Sequence, residues 1–186
     1  HEFEMPYKNI KNLKQARPDV NPFTLSEVWL ILKHVRADYK PYYTIRFFTG
    51  MRTSEIDGLK WDCINFDRRE ISIRGALVNG EMGPTKTLGS QRDIAMSQLV
   101  YDALLEQKAR TYGKSEFVFC NSQGNPMEYR NVNRRVWKPT LALLGLKHRR
   151  AYQTRHTAAT LWLAAGENPE WIARQMGHSS TEMLFR

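Results

Sequence analysis

Residues 151–186, AYQTRHTAATLWLAAGENPEWIARQMGHSSTEMLFR, predict three short helices joined by glycine-containing turns. The first helix is expected over about residues 153–165 and ends at Gly166, because glycine is favoured where a helix stops in a left-handed conformation. The second helix is capped by Asn168 and ends at Gly177 in the same way. A third helix begins shortly before the chain ends. This segment therefore predicts a small helical corner.

Two polar side chains lie at the ends of these helices. Arg155 is in the first turn of the first helix, and His178 follows the glycine that ends the second. Trp162, Ile172 and Met176 fall at positions that would pack beneath them. Polar groups at helix ends can converge on a ligand, and the segment therefore predicts a ligand site.

Residues 49–56, TGMRTSEI, predict a tight turn between two helices. The glycine is expected to end one helix, and Thr53 or Ser54 to cap the next. Arg52 would then stand near a helix N-terminus, where donors converge on an anion. Glu55, three residues later, is placed to accept a hydrogen bond and to orient a neighbouring side chain.

The pattern changes from helical to alternating over residues 63–96, which predicts a small antiparallel sheet of three strands. The apolar pairs are Ile64/Phe66, Ile71/Ile73 and Ile94/Met96. The polar loop GPTKTLGS at residues 83–90 carries Lys86, and Arg92 stands at the entry to the last strand.

Helical periodicity accounts for most of the remaining chain. Thr24 and Glu27 form a predicted capping box, Ser97 is expected to cap a helix, and a further helix is expected over about residues 130–144. The predicted fold is mainly α with a small three-stranded antiparallel sheet, an α+β domain. A basic run, Lys147, Arg149 and Arg150, comes directly before Tyr152.

Composition limits the classes of partner. Lys and Arg number 28 against 19 acidic residues, a formal net charge of +9. This excess favours a polyanion, with nucleic acid first and an anionic membrane surface second. No apolar run approaches the ~20 residues of a membrane span, and no signal-peptide pattern is present. Two cysteines are too few for a disulfide framework or a zinc site, which predicts a cytoplasmic location.

Three features of the sequence resemble the tyrosine recombinase (phage integrase) family, in the family's order and over residues 24–186. They are Thr49-Gly50-x-Arg52-x-x-Glu55, the loop residue Lys86, and Tyr152-x-x-Arg155 with a later Gly177-His178. The resemblance implies site-specific recombination, by which DNA is integrated or excised through a 3′-phosphotyrosyl intermediate. It also implies duplex DNA as the partner, a tetramer on DNA, and no cofactor or metal.

The chemistry of phosphoryl transfer explains the residue types. Planar guanidiniums fork the oxygens of a pentavalent phosphorus better than lysine does, and Arg52 and Arg155 are expected to do this. The resemblance implies that Lys86 protonates the leaving 5′ oxygen and that His178 hydrogen-bonds the phosphate or assists the nucleophile. Tyr152 stands where many relatives carry histidine, and it is expected to position the phosphate, because a hydroxyl of pKa ~10 is no base near neutral pH.

Other residues are predicted to support this site. Glu55 and His156 are predicted supporting residues, and the alternative for His156 is a hydrogen-bonding side chain in the core. The DNA-binding residues are predicted to be Lys147, Arg149, Arg150 and Arg92, with a solvated basic face as the alternative for the basic run.

The family's nucleophilic tyrosine would follow Met183, and no tyrosine stands there. The predicted division is therefore a tag residue with a linker arm at 1–22 and a catalytic domain at 23–186, truncated before the nucleophile. Such a fragment is expected to be inactive alone. Two alternatives stay open, a type IB topoisomerase-like enzyme and a non-catalytic DNA-binding domain.

Overall fold

The structure, a computed structural model, describes residues 20–85 and 90–184 of the 186-residue chain. Most of the predicted arm at 1–22 lies outside the described residues, and so does Lys86. The last three residues of that arm are described. Within them the backbone N–H of Asn21 donates to Oε1 of Gln153 at 3.0 Å, and directly after the arm that of Phe23 donates to Oγ1 of Thr157 at 2.9 Å.

The first helices follow the local signals closely. They are α1 (Leu25–His34), α2 (Lys40–Phe48), α3 (Thr53–Asp57) and α4 (Gln98–Thr111). The predicted capping box of α1 is confirmed, since Oγ1 of Thr24 accepts from the Glu27 N–H and Oε2 of Glu27 accepts from the Thr24 N–H. Ser97 caps α4 as expected.

The predicted cap of α3 is wrong. Thr53 is already the first helical residue, and Arg52 occupies the cap position in an extended conformation. The Glu55 carboxylate accepts a hydrogen bond from the backbone N–H of Arg52 at 2.8 Å. A residue inside the helix therefore satisfies one of the backbone N–H groups at its start.

The helix expected at 130–144 is present but is not uniform. It consists of α5 (Tyr129–Val132), a π-helical turn (Asn133–Trp137) and α6 (Lys138–Leu143). Pro139 is the second residue after the π-helical turn, and a proline has no N–H to donate within a helix. The wider hydrogen bonding of a π turn shifts the phase of the helix at this point.

The C-terminal corner contains α7 (Gln153–Ala164), α8 (Pro169–Met176) and a 3₁₀ turn (Thr181–Leu184). Asn168 caps α8 through its side chain, as predicted. Gly177 ends that helix in the left-handed region, with φ of 65°.

The predicted three-stranded antiparallel sheet is confirmed. Its strands are β1 (Ile64–Asn65), β2 (Glu70–Ile73) and β5 (Arg92–Ala95), in the order β1-β2-β5. Ile71 pairs with Ile64 on one side and with Ile94 on the other, so the alternating apolar residues share one buried face.

A two-stranded hairpin was not predicted. Its strands are β3 (Gly75–Val78) and β4 (Glu81–Pro84), which lie between β2 and the loop that carries Lys86. Asn79 and Gly80 form the turn with φ of 53° and 85°. An Asn-Gly pair is among the strongest hairpin signals, and the sequence therefore did contain the evidence for this element.

The main core surrounds α2. Its largest members are aromatic side chains from three distant parts of the chain, with Trp137 fully buried against Phe23, Tyr43 and Phe47. A smaller apolar cluster holds the C-terminal corner together and includes Ala159, Ile172, Met176, Trp162 and Trp171.

Within the described parts of the chain, no helix is long and apolar enough to cross a membrane. The same residues contain no group of three or more His, Cys, Asp or Glu that could hold a metal ion. Both cysteines, Cys63 and Cys120, are free.

Candidate active site

The turn after α2 brings the Arg52 segment against the C-terminal corner. Gly50 adopts φ of 61°, and a Cβ atom there would lie 3.2 Å from the ring of Trp162. The glycine therefore supplies both the turn and the close approach of the two segments. This contact is what places residues that are more than a hundred positions apart at one site.

Arg52 is fixed by a carboxylate on its own helix. Its Nη1 lies 2.8 Å from Oε1 of Glu55 and 3.3 Å from Oγ of Ser90. Its Nη2 donates to the carbonyl of Gly177 at 3.3 Å. The side chain is 22% exposed, so it remains partly open to solvent.

Arg155 is held differently, by neutral groups alone among the described residues. Its Nη1 donates to the carbonyl of Gly50, and its Nη2 donates to the carbonyl of Met176 at 2.7 Å. The residue is 2% exposed. Burial, followed by the charge of Arg52, lowers the pKa of Arg155 to about 10. An anion at this point would relieve both effects.

His178 completes the group. Its Nε2 lies 2.9 Å from Nη2 of Arg155. Because arginine only donates, Nε2 accepts and the ring carries its proton on Nδ1. That Nδ1 is buried and has no partner among the described residues. Burial and the charge of Arg155 lower the pKa of His178 to about 4, which keeps the ring neutral near pH 7.

The predicted trio of Arg52, Arg155 and His178 is thus brought together around the end of α8. The carbonyls of Met176 and Gly177 are adjacent, and each accepts from one of the two arginines. The spacing in sequence could not show this, because the two arginines are 103 positions apart. Two converging guanidiniums and one unpaired N–H suit a phosphate-sized anion.

Glu55 was predicted to accept a hydrogen bond from a neighbour at the site, and its carboxylate accepts from two arginines, Arg52 and Arg92. Arg92 contacts both carboxylate oxygens, at 3.1 and 2.9 Å, and its Nε donates to the carbonyl of Gln175 at 2.6 Å. The Arg92 side chain is only 7% exposed. Its predicted DNA contact stays a prediction, while in this structure the guanidinium links Glu55 to the end of α8.

The balance of charge at the site is positive. Arg52, Arg92 and Arg155 place three positive charges close together, and Glu55 supplies one negative charge. No other carboxylate hydrogen-bonds these guanidiniums in the part of the chain that the structure describes. The site is therefore electrostatically prepared for an anion.

Tyr152 and His156 lie at the edge of the site. Tyr152 is exposed, and its ring meets that of His156 edge to face, with centroids 5.3 Å apart. Both line a cavity of about 470 Å³ that Arg150, Arg155 and His178 also line. The cavity opens the buried guanidinium of Arg155 towards solvent.

The predicted basic run divides into two groups. Lys147 and Arg150 are exposed, and Arg150 lines the cavity. Arg149 instead donates from Nη1 to Oε2 of Glu27 at 2.9 Å, and its guanidinium lies over the ring of Phe23. Its side chain is largely buried, and its contact with Glu27 joins the segment before α7 to α1.

The position of Lys86 is outside the described residues, but its loop is bounded on both sides. Thr85 and Ser90, which flank residues 86–89, are both buried. Ser90 contacts Arg52 through its hydroxyl. The loop therefore begins and ends against the body of the domain, and one of its ends is at the site.

Sequence reasoning missed a basic face on the helix that contains the π turn. Arg130, Arg134 and Lys138 are exposed at intervals of four residues, and Arg135 lies beside them. The spacing was visible in the sequence as a helical charge pattern.

The fold and the site define a helical domain with a basic, partly buried anion pocket. The chain matches the model of the phage integrase family over residues 21–186 and belongs to that family. The prophage integrase IntR of Escherichia coli (strain K12) is 27% identical over 204 residues, 97% of this chain and 50% of that protein.

The tyrosine recombinase XerC of Corynebacterium efficiens is 29% identical over 139 residues, which cover 73% of this chain and 41% of that protein. The chain thus spans about half the length of the prophage integrase, and less of this relative. The predicted family is confirmed.

Solved structures agree on the fold. The integrase of transposon Tn1549, in complex with a circular intermediate DNA, superposes with a TM-score of 0.80 at 22% identity, covering 93% of this chain and 62% of that one. The lambda integrase tetramer bound to a Holliday junction gives 0.66 at 15% identity, with 87% and 47% covered. The predicted fold class, that of a tyrosine recombinase catalytic domain, is confirmed.

Proposed function

We propose that this domain binds duplex DNA and breaks and rejoins it in site-specific recombination, within a protein that supplies a nucleophilic tyrosine beyond Met183. The observation that carries the proposal is the convergence of Arg52, Arg155 and His178 on one anion-sized site. Membership of the phage integrase family supports the same reading.

In this mechanism the scissile phosphate lies between the two arginines. Arg52 and Arg155 donate to its non-bridging oxygens, where negative charge grows in the transition state. His178 lines the cavity beside Arg155, and it is proposed to hydrogen-bond the phosphate there. Because the ring is neutral, it positions the phosphate without adding a further positive charge next to Arg155.

Lys86 is proposed as the general acid for the leaving 5′ oxygen. Its loop is bounded by buried Thr85 and Ser90, and Ser90 contacts Arg52. That contact supports the proposal, because it places one end of the loop that carries Lys86 beside an arginine of the site. No metal or cofactor has a role in this scheme.

Tyr152 is not the proposed nucleophile. It precedes α7 on the side of Arg155, and its ring packs against His156. A nucleophile must enter in line, opposite the leaving oxygen. The 3₁₀ turn at Thr181–Leu184 borders the cavity through Met183 and Leu184, which supports a nucleophile that enters from that side.

The DNA-binding surface is proposed to extend from the cavity along the exposed basic residues. They are Lys147, Arg150, Arg130, Arg134, Arg135 and Lys138. The predicted tetramer on DNA belongs to this proposal. The relative that supports it is the lambda integrase tetramer on a Holliday junction.

Covalent trapping on a nicked suicide DNA substrate tests the proposed chemistry. The domain with its native C-terminal continuation should form a protein–DNA adduct, and the 186-residue chain should form none. Tyr152→Phe in the continued form should slow the adduct without abolishing it. An adduct formed by the 186-residue chain and lost in Tyr152→Phe would identify Tyr152 as the nucleophile instead.

A continued form that binds DNA yet never forms an adduct would favour the non-catalytic DNA-binding alternative. A salt titration measures that binding separately. If the 186-residue chain neutralises about 5 phosphates, log K should fall against log salt with a slope of about −4.5. A flat titration would contradict the electrostatic part of the proposal.

A further inference from the structure

A buried arginine lies close to the site, and no sequence motif pointed to it. Arg46, on α2, is 1% exposed. Its Nη2 donates to Oγ1 of Thr53 at 2.8 Å and to the carbonyl of Ala151 at 3.1 Å. Thr53 directly follows Arg52, and Ala151 directly precedes Tyr152 and the helix that carries Arg155. These two hydrogen bonds are here called the Arg46 bridge.

The bridge fixes the starts of both helices that present an arginine. The Ala151 carbonyl that Arg46 binds also accepts from the side chain and the backbone N–H of Thr154 in the first turn of α7. At the other end, Thr53 is the first residue of α3. One guanidinium therefore sets the distance between two segments that are about a hundred residues apart in sequence.

Arg155 connects the same two segments in the opposite direction. It starts from α7 and reaches the Gly50 carbonyl, in the turn that follows α2. Arg46 starts from α2 and reaches the segment before α7. The two arginines thus cross between the same pair of segments, one at the site and one beneath it.

A second contact, with Tyr42, orients Arg46. Its Nη1 donates to the hydroxyl of Tyr42 at 3.1 Å, and that hydroxyl donates to Oδ1 of Asp57 at 2.7 Å. Asp57 is the last residue of α3. Tyr42 and Arg46, four residues apart on α2, therefore hold α3 at both of its ends.

The chemistry of this arrangement favours a positioning role over simple packing. Burying an arginine is costly unless it is paired, and apolar residues of similar volume often replace buried ion pairs without loss of stability. Arg46 contacts no carboxylate directly among the described residues, and its Nε has no partner there. What a methionine of similar length would lack is the set of directional hydrogen bonds.

Those bonds oppose a specific force. Arg52 and Arg155 repel each other across the pocket before an anion arrives, and this repulsion contributes to the lowered pKa of Arg155. An unsupported pocket would relax by moving the two segments apart. Catalytic donors must be held within about 0.5 Å of their productive positions.

We propose that Arg46 is a positioning residue that holds the Arg52 and Arg155 segments at the spacing required to bind one phosphate. This inference rests on the proposed function for its catalytic consequence, but the geometric part concerns anion binding alone. Arg46 does not touch the phosphate. It acts through Thr53 and Ala151.

Anion binding by the 186-residue chain gives the first test. Inorganic phosphate is titrated while the ring resonances of His178 are followed by NMR. Arg46→Met should weaken phosphate binding by about tenfold, and Arg46→Lys, which keeps one donor group, should weaken it less. Thr53→Val removes a single acceptor of the bridge and should weaken binding by about threefold, with the fold intact by circular dichroism.

The matched control is Gln107→Met. Gln107 is also buried, donates to the carbonyl of Val118 at 2.8 Å, and leaves Oε1 without a partner among the described residues. It touches neither arginine segment. Gln107→Met should lower the thermal midpoint as the Arg46 variants do, but leave phosphate affinity within about twofold of the original.

Catalysis gives the second test, on the domain with its native C-terminal continuation. Under single turnover, Arg46→Met should slow covalent adduct formation by about 10- to 100-fold, the effect expected when donors move by about 1 Å. The Kd for the DNA substrate should change by less than about twofold, because most of the affinity comes from phosphates outside the pocket. A merely destabilising change would not separate rate from affinity in this way.

The outcomes distinguish the inference from the function on which it rests. Adduct formation at the original rate by Arg46→Met and Thr53→Val would overturn the inference and leave the proposed function standing. Equal losses of phosphate affinity in Arg46→Met and Gln107→Met would also overturn it. If the original protein forms no adduct while phosphate binding still depends on Arg46, the positioning role holds and the proposed function fails.

Discussion

The two arginines at the site come from regions that hold them with different kinds of partner, one with a carboxylate and the other with neutral groups. The turn at 50–55 supplies its own carboxylate, so Arg52 is paired with Glu55 and remains partly exposed. The corner at 155–178 supplies carbonyls and one neutral imidazole, so Arg155 is buried without a carboxylate partner among the described residues.

This difference assigns different tasks to the two sides of the pocket. The Arg52 side already holds a carboxylate before anything binds, and it acts as the fixed reference. The Arg155 side keeps a buried charge that an anion would stabilise, as its lowered pKa indicates. Phosphate binding should therefore change the environment of Arg155 and His178 more than that of Arg52.

Replacing the carboxylate should produce the largest change in stability. Glu55→Gln leaves Arg52 and Arg92 without their shared counter-charge in a buried position, and removing one partner of a buried pair costs about 3–5 kcal/mol. Urea unfolding of the variant measures the loss. The control is Asp38→Asn, which breaks the exposed pair with Arg36 and should cost no more than about 1 kcal/mol.

Equal costs for Glu55→Gln and Asp38→Asn would contradict the view that the Arg52 side depends on its buried carboxylate.

The comparison predicts unequal effects of lysine at the two arginine positions. Arg155→Lys cannot reproduce the forked contacts to Gly50, Met176 and His178, and it should slow adduct formation by about 10²–10³-fold. Arg52→Lys keeps its pairing with Glu55 and should be slowed less. Single-turnover rates of the continued domain provide the measurement, and a larger loss at Arg52 would reverse the assignment of the two sides.

A glycine at the boundary of the two regions gives a smaller and separable effect. Gly177→Ala places a left-handed alanine whose Cβ would lie 3.1 Å from Nη1 of Arg92. The backbone strain costs about 1–2 kcal/mol, and the contact adds to it. Gly166 has φ of 85°, and a Cβ atom there would have no neighbour within 4 Å. Gly166→Ala therefore measures the backbone strain without a steric contact.

Unfolding experiments should find Gly177→Ala less stable than Gly166→Ala. The reverse order would show that Arg92 does not pack closely against the end of α8.

The smallest effect concerns His178 and pH. Its pKa is lowered to about 4 in the folded protein, against 6.5 when unfolded. The unfolded chain therefore binds more protons between these values, and stability should fall as pH drops through this window. At pH 5 the loss relative to pH 7 should be about 1 kcal/mol after allowance for solvent screening.

His178→Gln should remove that part of the pH dependence. Bound phosphate should raise the pKa of His178, which NMR titration can follow, and an unchanged pKa would place the anion elsewhere.

Much of the local structure follows from the sequence alone, because its causes lie in residues that are close together in the chain. The capping box of α1, the cap at Asn168 and the left-handed stop at Gly177 each involve residues within one turn of helix. The alternation over β1, β2 and β5 predicted the sheet for the same reason. The hairpin at Asn79-Gly80 was equally readable and was missed.

The sequence by itself determined the family and the fold class, and it singled out the two arginines and the histidine that the structure brings together. Only the tertiary structure decided which charged side chains are buried. Arg46, Arg92 and Arg149 resemble any surface arginine in sequence, yet each is held by partners far along the chain. The physical reason is that burying a guanidinium requires acceptors at fixed positions, and those positions exist only once α2, α7 and α8 have packed together.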